Sequence, residues 1–304
     1  MSETILETAG LSKRFGSRWA VKDLNLDVRA GEVFGFLGPN GAGKSTTIRM
    51  ILTLLSPTSG SVKIFGGEVR ENRSSILSRV CGIVEKPDFY LFLSAYKNLE
   101  LLGSLTRRIT KGEILESLET VGLKSRGGDK VKTFSHGMKQ RLGIAQAILT
   151  KPDLVILDEP TSGLDPQGMK EVRELVLKLS REHGTTIFLS SHLLTEVEAV
   201  AQRMAVLNHG QLIAQGTVSE LLNSGSSYFT VQAFPQDRAL EIIGNLPWVE
   251  VVATGNGIDV RIDSHRAAEL NRILVTGGID VSGFAAKRTL EDYFLKITEG
   301  ASEV

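Results

Sequence analysis

The chain has little that would tie it to nucleic acid, to a membrane or to an oxidising compartment. Its 304 residues carry 35 basic and 35 acidic side chains, so no net charge draws it to an anionic partner. One cysteine, Cys81, excludes an internal disulfide and favours a reducing compartment. The sequence contains no run of about 18 apolar residues, and its first residues are polar rather than an apolar signal segment. We therefore expect a chain that crosses no bilayer.

The most informative pattern is a glycine-rich run that fits G-x-x-x-x-G-K-[ST]. A buried-strand pattern precedes it at 32–37, and apolar residues at helical spacing follow it until Ser56-Pro57. A strand, a loop and a helix N-terminus direct backbone N–H groups at one point, which favours a polyphosphate ligand. Lys44 is predicted to reach the β- and γ-phosphates, and the Ser45 hydroxyl to bind Mg²⁺. The predicted cofactor-binding residues of this loop are Gly38, Pro39, Asn40, Gly41, Ala42, Gly43, Lys44, Ser45 and Thr46.

Two carboxylates follow a second apolar strand pattern, Leu154-Val155-Ile156-Leu157. Asp158 and Glu159 are predicted at the carboxyl edge of a sheet, where open α/β sheets bind their ligands. Asp158 could hold Mg²⁺ through water, and Glu159 could polarise a water for attack on a phosphate. An ordinary acidic turn is the alternative, and the glycine-rich loop upstream argues against it.

The distribution of strand and helix patterns predicts two domains. Over residues 1–222 short apolar strands alternate with helices, which predicts an α/β fold with a parallel sheet covered on both faces and an antiparallel edge subdomain. A run of small polar residues at 223–227 predicts a linker. Residues 228–304 restart in the order β-α-β-β-α-β, with a further helix at 289–297, which predicts a small α+β, ferredoxin-like domain.

A third pattern begins a helix at Ser135, a good N-cap, with Gly137 leaving room for a phosphate to approach. With the two patterns above, it makes the chain resemble the nucleotide-binding subunit of an ABC transporter over about residues 4–220. In chain order the resemblance rests on Phe15 as an aromatic adenine platform, the phosphate loop 38–46, a coupling loop 84–90, a signature loop 134–138, Asp158 and Glu159, a dimer-contact loop 162–165 and the switch histidine His192.

The resemblance implies a P-loop NTPase core with a helical subdomain, and ATP and Mg²⁺ as cofactors. Two such chains would form a head-to-tail homodimer around two ATPs, each phosphate loop facing the signature loop of the other protomer. Ser135, Gly137, Met138 and Asp165 would then bind ATP across the interface, and Phe15 and Val21 within one chain. Glu159 and His192 would act in hydrolysis. Phe15 as core filler and His192 as a helix cap are the alternatives.

Two departures from the family pattern narrow the resemblance. The signature loop reads Phe-Ser-His-Gly-Met rather than Leu-Ser-Gly-Gly-Gln, which leaves the fine contacts of His136 and Met138 open. The coupling loop has Glu85 where a glutamine is usual; a carboxylate there could ligate Mg²⁺ and act beside the attacking water, or be a surface residue. The sequence around Glu85 and the tail Thr289–Leu295 resemble the corresponding segments of ABC-2-type exporter ATP-binding subunits. Within that group the resemblance is to the subunits that give self-protection against bacitracin and lantibiotics.

These features predict an ATPase that powers a separate membrane permease, which exports a peptide antibiotic or another hydrophobic compound. The chain would lie in the cytoplasm, on the inner face of the membrane, held there by the permease. The predicted docking groove spans Glu85 to Glu100, where an aromatic-rich cluster at 89–92 could instead pack inside the chain. The alternative function is a soluble ABC ATPase acting on nucleic acid or ribosomes, which the balanced charge disfavours.

Overall fold

The computed structural model describes residues 3–85, 87–223, 227–255 and 257–287. The chain divides into two units, Met1–Val218 and Ser219–Val304. Each unit has its own apolar core, and each is described separately.

A six-stranded sheet forms the centre of the first unit, in the order β10-β9-β3-β8-β7-β6. The edge strand β10 pairs antiparallel with β9, and the other five strands of the sheet run parallel to one another. Every residue of β3, β7, β8 and β9 is buried, as the continuous apolar runs in the sequence predict for a sheet covered on both faces. The strands are β3 (Val33–Leu37), β6 (Val80–Ile83), β7 (Leu154–Asp158), β8 (Thr186–Ser191), β9 (Arg203–Asn208) and β10 (Gln211–Thr217).

A four-stranded antiparallel sheet, ordered β2-β1-β4-β5, lies at the edge of the first unit and confirms the predicted edge subdomain. The sequence pattern predicts a first strand over residues 4–9, and the observed strand runs on to Phe15. Gly10, at φ 58°, sits where the register shifts between Thr8 and Leu11, so a bulge carries the strand past the glycine. The strands are β1 (Thr4–Phe15), β2 (Arg18–Arg29), β4 (Ser59–Ile64) and β5 (Gly67–Glu68).

Helices cover the central sheet, and three of them form a helical subdomain between β6 and β7. Side-chain caps start four of these helices: the Thr110–Glu113 capping box begins α4, while Ser94, Ser135 and Asp165 cap α3, α5 and α6. The helices of the first unit are α1 (Lys44–Ile51), α2 (Arg73–Leu77), α3 (Ala95–Ser104), α4 (Lys111–Thr120), α5 (His136–Ile148), α6 (Pro166–His183) and α7 (Leu194–Val200). A further helix, α8 (Val218–Asn223), begins at the last residue of this unit.

The second unit has the predicted β-α-β-β-α-β element order, in an antiparallel sheet ordered β12-β13-β11-β14. One face of this sheet is covered by two helices through Ala239, Ile243, Leu270 and Leu274. The elements are β11 (Ser227–Phe234), α9 (Gln236–Gly244), β12 (Glu250–Thr254), β13 (Ile258–Ile262), α10 (Ala267–Thr276) and β14 (Asp280–Lys287). The helix predicted at 289–297 lies outside the described residues. No helix in the described part of the chain is long and apolar enough to cross a membrane.

Three phenylalanines of neighbouring strands stack in the core of the first unit. The Phe188 ring lies 5.7 Å from that of Phe34 and 5.3 Å from that of Phe36, and all three side chains are fully buried. Truncating Phe188 would leave a cavity between strands that the surrounding backbone cannot close. The aromatic contact therefore ties β8 to β3, the strand that leads into the phosphate loop.

We expect Phe188→Ala to lower the free energy of unfolding by about 3–5 kcal/mol, because lost burial and the cavity add. Urea denaturation followed by Trp19 fluorescence in a Trp248→Phe background would report on the first unit alone. Leu105→Ala, which truncates a side chain that is 79% exposed, should change stability by less than about 0.5 kcal/mol. Equal losses in the two variants would contradict the importance of the aromatic stack.

Candidate active site

The candidate site lies at one edge of the central sheet, where three adjacent strands end. The phosphate loop follows β3, the acids Asp158 and Glu159 end β7, and His192 follows β8. Parallel pairing places Leu37 opposite Ser191 and Asp158 opposite Ser190. Because parallel strands share one carboxyl edge, groups predicted from distant parts of the sequence come together there.

The phosphate loop is held against the β1–β2 hairpin by a close backbone approach. Gly43 has φ 108°, and a Cβ there would lie 2.5 Å from the carbonyl oxygen of Ala20. Only glycine fits this position, because both the dihedral and the space exclude a side chain. The helix α1 begins at the next residue, Lys44, so its unpaired N–H groups open onto the loop and fit the phosphates of a nucleotide.

The Lys44 side chain is buried beneath the loop and fully engaged. Its ammonium donates to the carbonyl oxygens of Gly38 at 2.7 Å and Pro39 at 3.1 Å. The same Nζ lies 3.2 Å from Oε1 of Glu159. The lysine of the phosphate loop and the second strand-end acid are therefore direct neighbours, which brings together the two strongest patterns of the sequence.

Asp158 and Glu159 are both fixed by the hydroxyl of Ser190. Ser190 Oγ donates to Asp158 Oδ1 at 2.5 Å and accepts from the backbone N–H of Glu159 at 2.9 Å. Glu159 itself has φ 47°, a left-handed conformation that is unusual for a side chain of its size. Ser190, on the neighbouring strand, is a site residue that the sequence analysis missed.

His192 contacts Glu159 and does not cap a helix. Its Nδ1 lies 3.0 Å from Glu159 Oε2, so the carboxylate is bracketed by His192 and Lys44. The apolar spacing predicts a helix over residues 191–202, whereas the observed helix α7 begins only at Leu194, with Leu193 at its N-cap position. The backbone N–H of Leu193 is instead held by Ser191 Oγ at 2.9 Å, which leaves the imidazole directed at the acid.

The signature loop contacts the dimer-contact loop of the same chain. Ser135 caps α5 by accepting from the N–H of Met138 at 3.2 Å, and His136 Nε2 lies 3.4 Å from the Ser162 carbonyl oxygen. Asp165 caps α6 by accepting from Gly168 N–H at 2.8 Å. A Cβ at Gly137 would meet almost nothing, so that position is open. In the described residues no hydrogen bond or ion pair joins the signature loop to the phosphate loop.

Phe15 and Val21 lie on the hairpin beside the phosphate loop, with opposite exposure. Phe15 is 53% exposed, with Lys13 Nζ 5.2 Å from its ring centroid, so the alternative of a core filler is wrong. Val21 is fully buried and packs on the loop, 3.1 Å from the position a Cβ of Gly43 would take. Val21 therefore packs against the phosphate loop as part of the core. Phe15 has an exposed aromatic ring on which a nucleotide base could stack.

Glu85 forms an ion pair with Arg49 of α1. Arg49 lies one helical turn beyond Ser45, so the pair attaches the coupling loop to the helix that carries a predicted Mg²⁺ ligand. The side chain of Glu85 is mostly exposed, as the surface alternative implies. No cluster of three or more His, Cys, Asp or Glu side chains able to hold a metal occurs in the described residues. A Mg²⁺ ion here would draw most ligands from water and phosphate oxygens.

The segment at 89–92 combines one buried anchor with three exposed apolar side chains. Phe89 packs into the helical subdomain, whereas Tyr90, Leu91 and Phe92 are exposed. Asn98, fully buried on α3, accepts from the Tyr90 N–H at 2.9 Å and donates to the Tyr90 carbonyl at 3.1 Å. The predicted cluster is therefore divided, and its exposed part is held in place by a side chain that the sequence analysis did not single out.

Cys81 on β6 packs against the core of the first unit. Burial raises the pKa of its thiol to about 11. The thiolate, which is the nucleophilic form, is therefore scarce near neutral pH, which favours a structural role for this cysteine over a reactive one.

The comparison with known proteins agrees with this geometry. The ABC transporter family matches residues 21–162. The bacitracin transport ATP-binding protein of Bacillus licheniformis is 41% identical over 302 residues, 98% of this chain and 99% of that protein. This chain is an ABC transporter ATP-binding protein. It is an ATPase that belongs to a transporter, which decides against the alternative of a nucleic-acid or ribosome-associated ATPase.

Other relatives of this ABC ATPase serve drug resistance or were solved with nucleotide. The daunorubicin/doxorubicin resistance ATP-binding protein of Streptomyces peucetius is 40% identical over 72% of this chain and 67% of that protein. An ATP-binding cassette solved as a dimer, in a post-hydrolysis state with ADP and Pi, matches with a TM-score of 0.63 and 26% identity. That match covers 70% of this chain and 99% of the other. Nucleotide binding and the ABC ATPase fold are therefore shared.

Replacing Ser190 should separate catalysis from stability. Ser190→Ala leaves Asp158 and the Glu159 N–H without their shared partner, so we expect ATP hydrolysis to fall about 10- to 100-fold. Ser180→Ala is the matched control, because that hydroxyl donates to Gly31 far along the chain from the acids. Both variants should lose about 1 kcal/mol of stability in urea denaturation. Equal hydrolysis rates in the two variants would show that Ser190 has no role in the site.

Proposed function

We propose that this ABC ATPase works as a homodimer that closes around two Mg²⁺·ATP, and that it drives a separate permease exporting a peptide antibiotic or a similar hydrophobic compound. The observation that carries the proposal is the position of Glu159, bracketed by Lys44 and His192 at the end of the sheet. A carboxylate there can accept a proton from a water that attacks the γ-phosphate, with a lysine and a histidine to balance charge.

The chain's own residues divide the work of hydrolysis. The N–H groups that start α1 and the Lys44 ammonium hold the phosphates, and Phe15 stacks on the base. Ser45 and Asp158 would hold the metal, which when bound would neutralise phosphate charge. Glu159 takes the proton, and His192 orients that carboxylate and contacts the γ-phosphate.

The contacts of the signature loop support a dimer. Ser135, Gly137 and Met138 have no hydrogen bond or ion pair to the phosphate loop in the described part of their own chain, and the Gly137 position is open. A second protomer could bring its phosphate loop to that opening, with Asp165 at the contact between protomers. A related ATP-binding cassette that was solved with ADP and Pi is also a dimer, which supports the proposal.

The exposed ledge formed by Tyr90, Leu91 and Phe92 is proposed as the permease-docking surface. Tyr90 and Phe92 rings contact edge to face at 6.0 Å, and Phe92 is 68% exposed. Because aromatic anchors dominate protein interfaces, such a ledge suits an apolar segment of the permease. Glu85, a few residues before this surface, pairs with Arg49 on α1 and would connect the docking surface to the nucleotide site. Docking on the permease would hold the ATPase at the cytoplasmic face of the membrane.

The cargo is inferred from the relatives. The protein that is 41% identical over almost the whole of both chains serves bacitracin transport, and another relative serves daunorubicin and doxorubicin resistance. The match to the bacitracin protein covers 98% of this chain and therefore includes the second unit, whereas the match to the drug-resistance relative covers 72% of this chain. A peptide antibiotic of the bacitracin or lantibiotic kind is therefore the cargo we propose.

Glu159→Gln tests the proposed dimer and the proposed base together. The amide keeps the shape of the side chain but cannot take a proton, so hydrolysis should fall at least about 100-fold while ATP still binds. The ATP-bound dimer should then accumulate, which light scattering after size exclusion in Mg²⁺·ATP would detect. Glu182→Gln, on the exposed end of α6, should behave as the wild type. A variant that stays monomeric with saturating Mg²⁺·ATP would disprove the dimer.

Phe92→Ser tests the docking ledge. Loss of the most exposed aromatic anchor should weaken co-purification with the membrane permease about tenfold or more, with ATP affinity unchanged. Val275→Ser, an exposed apolar residue of the second unit, is the control. The measurement is recovery of a polytopic membrane protein with the tagged chain from detergent-solubilised membranes. Undiminished recovery with Phe92→Ser would place the permease elsewhere.

A further inference from the structure

An ion pair with a buried carboxylate joins the two helices that lead away from the candidate site. Arg173 lies on α6, which begins at the dimer-contact loop, and Glu196 lies on α7, which begins two residues after His192. Arg173 Nη1 donates to Glu196 Oε1 at 3.1 Å. Glu196 is only 5% exposed, whereas the Arg173 side chain is 33% exposed, so the carboxylate is withdrawn from water and the arginine reaches it from the surface.

The pair lies next to the two segments that follow Glu159 and precede His192. Together with Pro160, Thr161 and Ser191, the two side chains line a small enclosed cavity of about 10 Å³. Pro160 and Thr161 directly follow the strand-end acids, and Ser191 directly precedes the switch histidine. A change in the relative position of α6 and α7 would therefore be felt first at the two segments that carry Glu159 and His192.

Stability does not account for this ion pair. Glu196 Oε2 is buried and makes no hydrogen bond to any described residue, which costs about 1–3 kcal/mol. Exchange of a buried ion pair for apolar side chains of similar volume is often neutral or even stabilising. What a charged, directional contact adds over an apolar one is a fixed relative position of the two helices.

We propose that the Arg173–Glu196 pair is a positioning element for hydrolysis, which holds the dimer-contact loop and His192 in fixed relation to each other. The inference rests on the proposed roles of Glu159 and His192. An apolar contact would let α6 and α7 slide by a fraction of an ångström, enough to separate His192 from the carboxylate it orients. Neither residue of the pair touches substrate, so their effect is on geometry alone.

The test is the double variant Arg173→Met/Glu196→Leu in the full chain, compared with the wild type in urea denaturation and steady-state ATP hydrolysis. We expect stability equal to or above that of the wild type, and kcat lowered about tenfold, because misplacement of reacting groups is costly. KM for ATP should stay within about twofold, because ground-state binding is untouched. Arg173→Lys keeps the charge and should retain most of kcat.

The matched control is Glu174→Gln, which breaks an exposed pair with Lys170 on the same helix and should leave kcat unchanged. A double variant with wild-type kcat, or one whose loss lies in KM alone, would overturn the positioning role. The Glu159→Gln variant is measured alongside it. A wild-type rate no higher than that of Glu159→Gln would count against the proposed hydrolytic site, whereas wild-type turnover in the double variant counts only against the ion pair.

Discussion

The parallel pairing of β7 with β8 is the constraint on which the candidate site depends. It sets Asp158 opposite Ser190, and from that register one hydroxyl reaches both the aspartate side chain and the Glu159 backbone. Side chains alternate along a strand, so a slip of one residue would turn Ser190 to the other face of the sheet. The neighbouring pairing of β3 with β8 then brings the phosphate loop to the same edge. The core phenylalanines beneath these strands hold that register.

Glu159 combines backbone strain with electrostatic support. Its left-handed conformation costs an ordinary residue about 1 kcal/mol or more, and strain of this kind persists where the surroundings determine it. Here the determinants are Ser190 on the backbone N–H, Lys44 on one carboxylate oxygen and His192 on the other. The carboxylate is thus oriented by three elements of the fold. Its neighbours are a lysine on one side and a histidine on the other, which suits the general base that we propose.

Much of this site could be predicted from the sequence, because its parts are local. Gly43 of the phosphate loop has φ 108° and no room for a Cβ, so the position requires glycine. The motif specifies a glycine there, which is why the sequence alone predicts the loop. The strand-end acids follow an apolar run that can only be a buried strand. The alternation of strands and helices likewise predicted the central parallel sheet and the antiparallel edge. Family resemblance supplied the order of the remaining loops.

What the sequence could not reveal depends on long-range pairing. Ser190 ends an apolar strand like many serines, and only the register with β7 makes it a partner of Asp158. The ion pair of Glu85 with Arg49 joins two segments that are distant in the sequence, and no local pattern indicates that they meet. The length of β1 was underestimated because a bulge at Gly10 looks like a strand end. Val21 was expected at the nucleotide, yet its burial depends on how the hairpin packs on the loop.

Asn98 has a consequence for how quickly this ATPase can find its partner. The segment that bears Tyr90 and Phe92 is clamped on both backbone groups of Tyr90, and Leu91 and Leu93 accept from the N–H groups of Lys132 and Val131 at 2.9 and 3.0 Å. A surface already fixed in this way gives up little conformational entropy when it is covered. Recognition there would be rigid-body docking of a preorganised surface, limited by diffusion and orientation and not by the ordering of a loop.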